Sequence, residues 1–265
     1  MLSIAPGAAL SPFIHKLWVS ASRAQPPGAR EHVLPTGQMH LVFRLSGPPL
    51  RIDGDGSAIK GPVVGGARAG YYVKEVGAPV LSVGAQLLPG ASQALFGVSA
   101  AELAGRHTLL ADLWGAHADS VLQQLSEHTD PCAQLVLLEA LLAARLPRVH
   151  GLHPGVAQVL GNVAHQWRVE DMVRASQYSH RAFIALFRQA TGLSPKRYAR
   201  LMRFQQLLAA LRRAPAASLS ELALAGGYSD QAHMQREFRE FAGVTPMQYR
   251  VLAPDAAHHV AIAAA

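Results

Sequence analysis

Residues 219–230 read Leu-Ser-Glu-Leu-Ala-Leu-Ala-Gly-Gly-Tyr-Ser-Asp, and the run from Gln231 to Ala242 follows them. Gly226-Gly227 interrupts a short helical run at a point where glycine adopts left-handed backbone angles without steric cost. Asp230 then offers its side chain as a cap for a second helix. A short helix, a tight turn and a capped second helix together indicate a helix-turn-helix unit.

The second helix of this unit has one apolar side. Met234, Phe238 and Phe241 fall at i, i+4 and i+7, so they form a single stripe. The side chains that face away from the stripe are Ala232, Gln235, Arg236 and Arg239. A helix with a buried seam and an outer face of glutamine and arginine fits the groove of a nucleic acid. An ordinary amphipathic helix with a solvated face is the alternative interpretation.

The same pattern occurs twice in the chain. The segment Phe187–Tyr198 recurs as Phe238–Tyr249, at an offset of 238 − 187 = 51 residues. In both copies a glycine ends one helix, a serine or threonine caps the next helix, and a proline occupies the first position of that helix. The repeat therefore predicts two copies of one structural unit.

A single helix is expected between the two copies, from Ser194 to about Ala214. At about 1.5 Å per residue such a helix is roughly 30 Å long. Successive major grooves on one face of B-DNA lie about 34 Å apart. Two recognition helices on a stiff spacer of this length therefore fit two adjacent major grooves.

Residues from about 154 to 252 resemble the DNA-binding domain of the AraC/XylS family of bacterial transcription regulators, which has two helix-turn-helix units joined by a long helix. The matching residues are Ala225–Gln231, Phe238, Gly243–Pro246 and Tyr249-Arg250. The resemblance implies a cytoplasmic, sequence-specific transcription regulator whose partner is double-stranded DNA. Whether it is an activator or a repressor stays open, and an activator would also have RNA polymerase as a partner.

The resemblance also implies which side chains contact the bases. By position these are Arg181, Ile184 and Ala185 in the first unit, and Gln231, Ala232, His233, Gln235 and Arg236 in the second. Ile184 and Ala185 offer a base only an apolar contact, such as one with a thymine methyl, so base reading by the first unit depends on Arg181. Four other basic residues lie near predicted helix ends, which suits phosphate contacts that set the register. They are Arg188, Lys196, Arg197 and Arg239.

The first unit departs from the family pattern at its start. Pro154 marks an opening helix with an apolar face of Val156, Val159, Leu160 and Val163. A short helix is then expected from Val169 to Ser176, followed by the first recognition helix from His180 to Ala190. Arg168 stands where the family often has serine or a similar cap, so we expect the start of the short helix to be less well fixed.

Charge divides the chain into two parts. Residues 1–150 carry 11 Lys and Arg against 10 Asp and Glu, a net charge of +1, whereas residues 151–265 carry 13 against 7, a net charge of +6. A basic part beside a nearly neutral part is typical of a phosphate-binding module attached to a module with another role. We predict an N-terminal regulatory or sensor domain over 1–150, a DNA-binding domain over 151–252, and an alanine-rich tail over 253–265 to which we assign no role.

The first part is expected to be β-rich over 1–97 and helical over 98–148. Met39, Leu41 and Phe43 alternate with residues of the other face, which predicts a half-buried strand. Asp53-Gly54-Asp55-Gly56 is a strong hairpin signal. Further extended segments are expected at 50–52, 62–64, 70–76 and 80–87. The spacing of these segments indicates a small barrel or sandwich.

Helices are expected at 100–104, 121–127 and 134–146, where leucines recur every three or four residues. The strongest stripe consists of Leu135, Leu138, Leu142 and Leu146. Such a stripe is more often intramolecular core, and a helix that forms a homodimer is the alternative.

The first part also resembles the uncharacterised N-terminal domain found in front of some AraC-type DNA-binding domains. The residues that carry this resemblance are Trp18, Val33–Gly37, Leu41–Phe43, Leu88–Ala91 and Leu113–Gly115. Sugar-sensing relatives in the larger family have a cupin-like barrel here. The resemblance therefore implies an α+β chain with a barrel-like N-terminal domain that encloses a small-molecule effector, followed by an all-α double helix-turn-helix domain.

Residue types that support catalysis are sparse. The lone Cys132 excludes an intrachain disulfide and a cysteine-based zinc site. His15, His32 and His40 lack the spacing of a cupin metal site, so each is interpreted as a surface or hydrogen-bonded core histidine. No nucleophile elbow, phosphate-cradling loop or dinucleotide fingerprint is present. We therefore expect no enzyme activity, no metal and no cofactor.

Two further expectations concern membranes and specificity. Pro6-Gly7 interrupts the N-terminal apolar residues, so we expect no signal peptide. The uncharged stretch 76–101 contains two prolines and four glycines, which favours strands and turns over a membrane span. The apolar outer face expected for the first recognition helix leaves a non-specific architectural DNA-binding protein as the alternative function.

Overall fold

The computed structural model describes residues 1–52, 58–146, 152–161 and 168–262. Its strands are β1 (Leu2–Ile4), β2 (Ile14–Ala21), β3 (Arg30–Val33), β4 (Met39–Arg44), β5 (Leu50–Arg51), β6 (Ala58–Ile59), β7 (Val63–Gly65), β8 (Tyr72–Glu75), β9 (Leu81–Leu87), β10 (His107–Leu109) and β11 (His259–Ile262). Its helices are α1 (Ala91–Phe96), α2 (Ala100–Leu103), α3 (Ala111–Trp114), α4 (His117–Glu127), α5 (Pro131–Ala143), α6 (Pro154–Gly161), α7 (Val169–Ser176), α8 (His180–Thr191), α9 (Pro195–Arg213), α10 (Leu219–Ala225), α11 (Gln231–Ala242) and α12 (Pro246–Leu252). The expected β-rich first part and helical second part are confirmed, but helix α1 lies within the segment 1–97 that was expected to be β-rich, and strand β10 lies within the segment 98–148 that was expected to be helical. The hairpin signal at 53–56 and Val163 of the opening helix lie outside the described residues.

A six-stranded antiparallel sheet forms the centre of the first part, in the order β1-β2-β9-β4-β7-β10. The alternation expected in β4 is present, because Met39, Leu41 and Phe43 are all buried. Strand β9 lies between β2 and β4, and a Cβ atom at Gly84 would lie 2.4 Å from the carbonyl oxygen of Leu41 and 2.5 Å from the ring of Trp18. Glycine is therefore required where these three strands approach closely.

Strand β2 is an element that period-two reasoning did not find. Its buried side chains are Ile14, Leu17 and Val19, so the alternation changes phase after the first residue. The cause is a β-bulge between Ile14 and Lys16 in the pairing of β2 with β9. A bulge inserts one residue on one strand, and this insertion hides the strand from a search for strict alternation.

The C-terminal segment, to which the sequence assigned no role, contributes a strand to a second sheet with the order β11-β3-β8. Strand β11 pairs antiparallel with β3, and Val260 lies opposite His32. Val260 is completely buried. Before this strand, Arg212 of α9 donates a hydrogen bond to the carbonyl oxygen of Pro254 at 2.6 Å. The chain thus returns from the helical part to the β-rich part.

Helix α5 packs against β2 and β9. Leu135 is 1% exposed, and Leu138 and Leu142 are completely buried. The interpretation of the leucine stripe as intramolecular core is therefore confirmed. The same burial makes a homodimer through this stripe wrong, because its side chains already contact the rest of the chain.

The helices of the second part begin and end at the residues expected to cap them. Ser194 accepts a hydrogen bond from the backbone N–H of Arg197, and Thr245 forms a capping box with Gln248. Helix α9 spans 19 residues, which confirms the predicted long connecting helix. In the turn of the second unit, Gly227 adopts the left-handed conformation with φ 71°.

Hydrogen bonds between described residues connect the β-rich part with α8, α9 and α11. The backbone N–H of Gly90 donates to the carbonyl oxygen of Ala190 at 2.9 Å. The ring Nδ1 of His32 lies 2.9 Å from the carbonyl oxygen of Ala242. Gln205 of α9 donates its amide to the carbonyl oxygen of Pro35 at 2.6 Å. The β-rich part therefore contacts the ends of both α8 and α11 and the middle of the connecting helix.

Candidate nucleic-acid interface

The two recognition helices, α8 and α11, are held by equivalent aromatic side chains. In α8, Phe183 and Phe187 are completely buried, and Phe187 packs against Tyr198 with the ring centroids 5.4 Å apart. In α11, Phe238 is completely buried and packs against Tyr249 with the centroids 5.8 Å apart. Since each apolar seam faces inward, the opposite faces of both helices point to solvent.

On the outer face of α8, the side chains expected to contact bases are one polar residue and two apolar residues. Arg181 and Ala185 are exposed, and Ile184 is half-buried. Within the described ranges, Arg181 makes no ion pair, so its guanidinium is available to a ligand. Arg168, which precedes α7, makes no side-chain capping hydrogen bond, as expected from its identity.

The outer face of α11 is more polar and partly pre-ordered. Gln231, Ala232 and Arg236 are exposed, whereas His233 and Gln235 are half-buried. The side-chain oxygen of Gln231 accepts a hydrogen bond from the hydroxyl of Ser220 at 2.9 Å.

Local hydrogen bonds hold His233 in place. Asp230 caps α11 by accepting the backbone N–H of His233 at 2.6 Å, and this bond lowers the pKa of the Asp230 carboxyl. The ring Nδ1 of His233 lies 3.1 Å from the hydroxyl of Ser229, and the ring makes an edge contact with Tyr228. The imidazole therefore has a defined direction before any ligand binds.

The four residues expected at phosphates are all exposed: Arg188, Lys196, Arg197 and Arg239. Arg188 and Arg239 lie in the last turns of α8 and α11, and Lys196 and Arg197 lie in the first turn of α9. Their positive charges thus flank the two recognition helices at their ends.

Sequence reasoning missed a buried carboxylate behind α11. Glu237 is 3% exposed, and it accepts hydrogen bonds from Arg200 Nε at 2.8 Å and from Arg203 Nε at 3.0 Å. Arg203 Nη2 donates to both oxygens of Glu237, at 2.9 and 2.8 Å. Although burial opposes ionisation, the hydrogen bonds from Arg203 and Arg200 lower the pKa of Glu237. The carboxylate is therefore ionised and fully paired.

Both arginines of this cluster make further contacts. Arg200 also donates hydrogen bonds to the carboxylate of Glu240, which raises the pKa of the Arg200 guanidinium. The guanidinium of Arg203 stacks over the ring of Tyr228, 4.5 Å from its centroid. The cluster formed by Arg200, Arg203, Glu237 and Glu240, which we call the α9–α11 clamp, thus joins the connecting helix to the second recognition helix. In the sequence, each pair is visible only as two like charges three residues apart on one helix, and this spacing does not show that the two pairs meet.

The histidines considered for a metal site have other surroundings. His15 is exposed, His32 is 8% exposed and bonded to the backbone of Ala242, and His40 lies 3.2 Å from the hydroxyl of Thr36. Within the residues that the structure describes, no group of three or more histidine, cysteine or acidic side chains could hold a metal ion. None of the described helices has the length and apolar character needed to cross a bilayer.

Comparison with known families matches both parts of the chain. Residues 172–251 match the family described as a helix-turn-helix domain. Residues 2–109 match a domain of unknown function, DUF6597. The fold and the two outward-facing helices place the second part in the class of helix-turn-helix DNA-binding domains. More narrowly, the chain combines an AraC-type helix-turn-helix domain with an N-terminal DUF6597 domain.

Two sequence relatives each match a little over a third of the chain. An uncharacterized HTH-type transcriptional regulator of Haemophilus influenzae is 28% identical over 99 residues, which are 37% of this chain and 33% of that protein. The HTH-type transcriptional regulator MtrA of Neisseria gonorrhoeae is 28% identical over 95 residues, 36% of this chain and 31% of MtrA. The chain thus spans about a third of the length of these relatives. The crystal structure of ToxT from Vibrio cholerae aligns with 91% of this chain and 99% of its own, at 8% identity and a TM-score of 0.46.

Proposed function

We propose that this protein is a sequence-specific DNA-binding regulator of transcription, in which α8 and α11 enter two adjacent major grooves. The observation that carries the proposal is the repeat of one unit at each end of the 19-residue helix α9, with the outer faces of both recognition helices open. At about 1.5 Å per residue this helix is roughly 28 Å long, close to the spacing of successive grooves. A regulator of this kind acts in the cytoplasm of a bacterium.

The proposal assigns roles to the exposed side chains. The base-contacting set comprises Arg181, Ile184, Ala185, Gln231, Ala232, His233, Gln235 and Arg236. The phosphate-contacting set comprises Arg188, Lys196, Arg197 and Arg239. Arginine and glutamine make paired hydrogen bonds to guanine and adenine, and cations at helix ends fix the register on the backbone.

The β-rich part is proposed to control the binding of α8 and α11 to DNA. Its support is the set of contacts with Ala190, Ala242 and Gln205, which connect it to both recognition helices and to α9. Large buried side chains such as Leu41 and Phe43 fill the space over the central sheet. A small-molecule effector would therefore bind in the open cleft beside β10, which has a volume of about 710 Å³ and includes Lys60 and Arg106 in its lining. A homodimer stays a prediction without an assigned surface.

Binding-site selection from random duplexes with the full chain tests the proposal. We expect a two-part motif with half-sites about 10 base pairs apart, as adjacent grooves require. We also expect affinity for the selected duplex to exceed that for unrelated DNA by about a thousandfold or more at physiological salt. The double variant Arg181→Ala/Arg236→Ala is a matched control, because both side chains are exposed and their loss should remove the motif without unfolding the chain.

An architectural DNA-binding protein is the second candidate, and the apolar pair Ile184 and Ala185 on the outer face of α8 favours it. A ratio of specific to non-specific affinity near one would establish that function in place of the first. Immunoprecipitation of the tagged protein from its host separates the two in cells. Sharp peaks near promoters support regulation, and a broad, motif-free profile supports the architectural role.

A further inference from the structure

The two recognition helices differ at two equivalent positions of the repeat. At the offset of 51 residues, Glu237 corresponds to Leu186 and Glu240 corresponds to Gln189. Leu186 is half-buried and Gln189 is exposed. The first unit therefore has a leucine packed against the core and an exposed glutamine at the positions where the second unit has the two carboxylates of the α9–α11 clamp.

The side chains assigned to base contacts also differ between the two helices. The outer face of α8 offers one polar side chain, Arg181, beside Ile184 and Ala185, and an apolar contact with a thymine methyl tolerates small changes in position. The outer face of α11 offers Gln231, Gln235 and Arg236, whose hydrogen bonds to bases require donor–acceptor distances near 2.9 Å and nearly linear angles. The unit with more side chains that require accurate placement is thus the unit that has the clamp.

The geometry of the clamp suits this requirement. Glu237 follows Arg236 directly, so the clamp holds α11 in the same turn as a side chain assigned to a base contact. Side chains lie about 5–6 Å from a helix axis, so a rotation of 20° would displace them by about 2 Å, enough to break a hydrogen bond. Glu237 accepts bonds on both oxygens from Arg200 and Arg203, which restrains rotation and sliding together.

We infer that Glu237, Arg200 and Arg203 are positioning residues that set the orientation of α11 and thereby its base specificity. This inference rests on the proposed function of DNA reading. It assigns the greater share of sequence discrimination to the second unit, and it makes α9 the reference against which that unit is aligned. The clamp contacts no base itself.

The test compares Glu237→Gln with the wild-type chain in binding-site selection and in titrations against duplexes that carry single base changes. Glutamine keeps the size of the side chain and removes its charge, so two guanidinium groups share a neutral acceptor. We expect discrimination in the α11 half-site to fall by about 5- to 150-fold, the contribution of one paired base contact. Preference in the α8 half-site and affinity for unrelated DNA should change less than twofold.

Glu31→Gln is the matched control for stability. Glu31 also has a partly buried carboxylate, which is bonded to His259 at 2.7 Å and paired with Lys74, but it lies in the β-rich part. We expect this variant to lose thermal stability while it keeps the wild-type motif. A second variant, Glu237→Asp, keeps the charge and should restore most of the discrimination.

The outcomes distinguish a failure of the positioning role from a failure of the proposed function. If the wild-type chain shows no motif, the proposed function itself fails. If the wild-type chain selects a motif and folded Glu237→Gln selects the same motif with the same discrimination, the positioning role is overturned. Loss of preference in both half-sites together would likewise overturn it, since that result indicates a general loss of structure. A denaturation curve confirms that each variant is folded before binding is measured.

Discussion

At the scale of single residues, Arg181 is the side chain of α8 whose loss should change specificity most. It is exposed in the first turn of the helix, and its guanidinium matches the two acceptors of guanine in the major groove. Arg181→Ala should weaken binding to the selected site by about 1–3 kcal/mol and relax the preference at one base pair. Fluorescence anisotropy with duplexes that differ by one base pair measures both effects.

Lys196→Ala is the control for this variant, because Lys196 is assigned to a phosphate. It should weaken binding to all sequences about equally and reduce the slope of log affinity against log salt by about 1. If Arg181→Ala selected the wild-type motif, the base contact would be wrong. An unchanged salt slope would remove Lys196 from the phosphate set.

The outward residues of both recognition helices could be predicted from the sequence, because helical periodicity assigns an inner and an outer face from local spacing alone. The α9–α11 clamp could not be predicted in the same way. Its partners lie 37 residues apart in the pair Arg200–Glu237 and 34 apart in the pair Arg203–Glu237. Periodicity places Glu237 at the border of a face, and only the packing of two helices shows that it is buried.

At the scale of elements, the helix starts of the second part were predictable and one long strand was not. The expected starts at 121 and 134 were wrong, because α4 begins at His117 and α5 begins at Pro131. Serine, threonine and aspartate caps act within three residues, so their positions define helix starts directly. The bulge at the start of β2 depends on the pairing with β9, which a reading of one strand does not contain. The pairing of β11 with β3 joins His259 to Val33, and no local signal in an alanine-rich segment indicates it.

Gly243, which ends α11, provides a prediction at this scale. Its φ is 71°, and a Cβ there would lie 2.6 Å from both His32 Cε1 and Tyr71 Cζ. Gly243→Ala should therefore combine the strain of a left-handed alanine, about 1–2 kcal/mol, with overpacking against β3, about 1–3 kcal/mol. Urea denaturation of the full chain measures the total loss of unfolding free energy.

Gly97 is the matched control for Gly243. It also ends a helix, α1, with φ 73°, but a Cβ there would meet nothing within 4 Å. Gly97→Ala should show the backbone strain alone. Equal losses in the two variants would contradict the close contact between α11 and the β-rich part.

At the scale of the whole molecule, charge predicted two parts with different roles but not how the parts are joined. One residue where they meet is Gln205 of α9, which donates to Pro35 and lies 2.7 Å from the ring Nε2 of His258. His258 immediately precedes β11, so the C-terminal segment, the connecting helix and the β-rich part share one polar junction. Such a junction brings together residues that are distant in sequence, and composition carries no information about it.

This junction predicts a dependence of stability on pH. Burial, together with the neighbouring His259 and Lys16, lowers the pKa of His258 to about 4. Burial, followed by the positive charges of His258, His259, Lys16 and His107, lowers the pKa of His40 to about 4 as well. The unfolded chain takes up protons near the ordinary value of 6.5, so it binds more protons than the folded chain between pH 6.5 and pH 4. Stability should therefore be highest above pH 6.5 and fall as the pH decreases through this window.

Thermal melts of the full chain at pH 7, 6 and 5 measure this effect. At 1.36 kcal/mol per pH unit, each of the two histidines should remove about 2 kcal/mol of unfolding free energy by pH 5. Glu31 titrates outside this pH range. Burial opposes its ionisation, but the hydrogen bond from His259 and the charge of Lys74 lower its pKa to about 2. The stability that the ionised Glu31 contributes is therefore lost only below about pH 4.5.

His258→Gln should remove about half of the pH dependence, because glutamine does not titrate. The variant His15→Gln, at an exposed position, should leave the pH dependence unchanged. A melting temperature that is constant from pH 7 to pH 5 would show that the two rings are not held neutral in the folded chain.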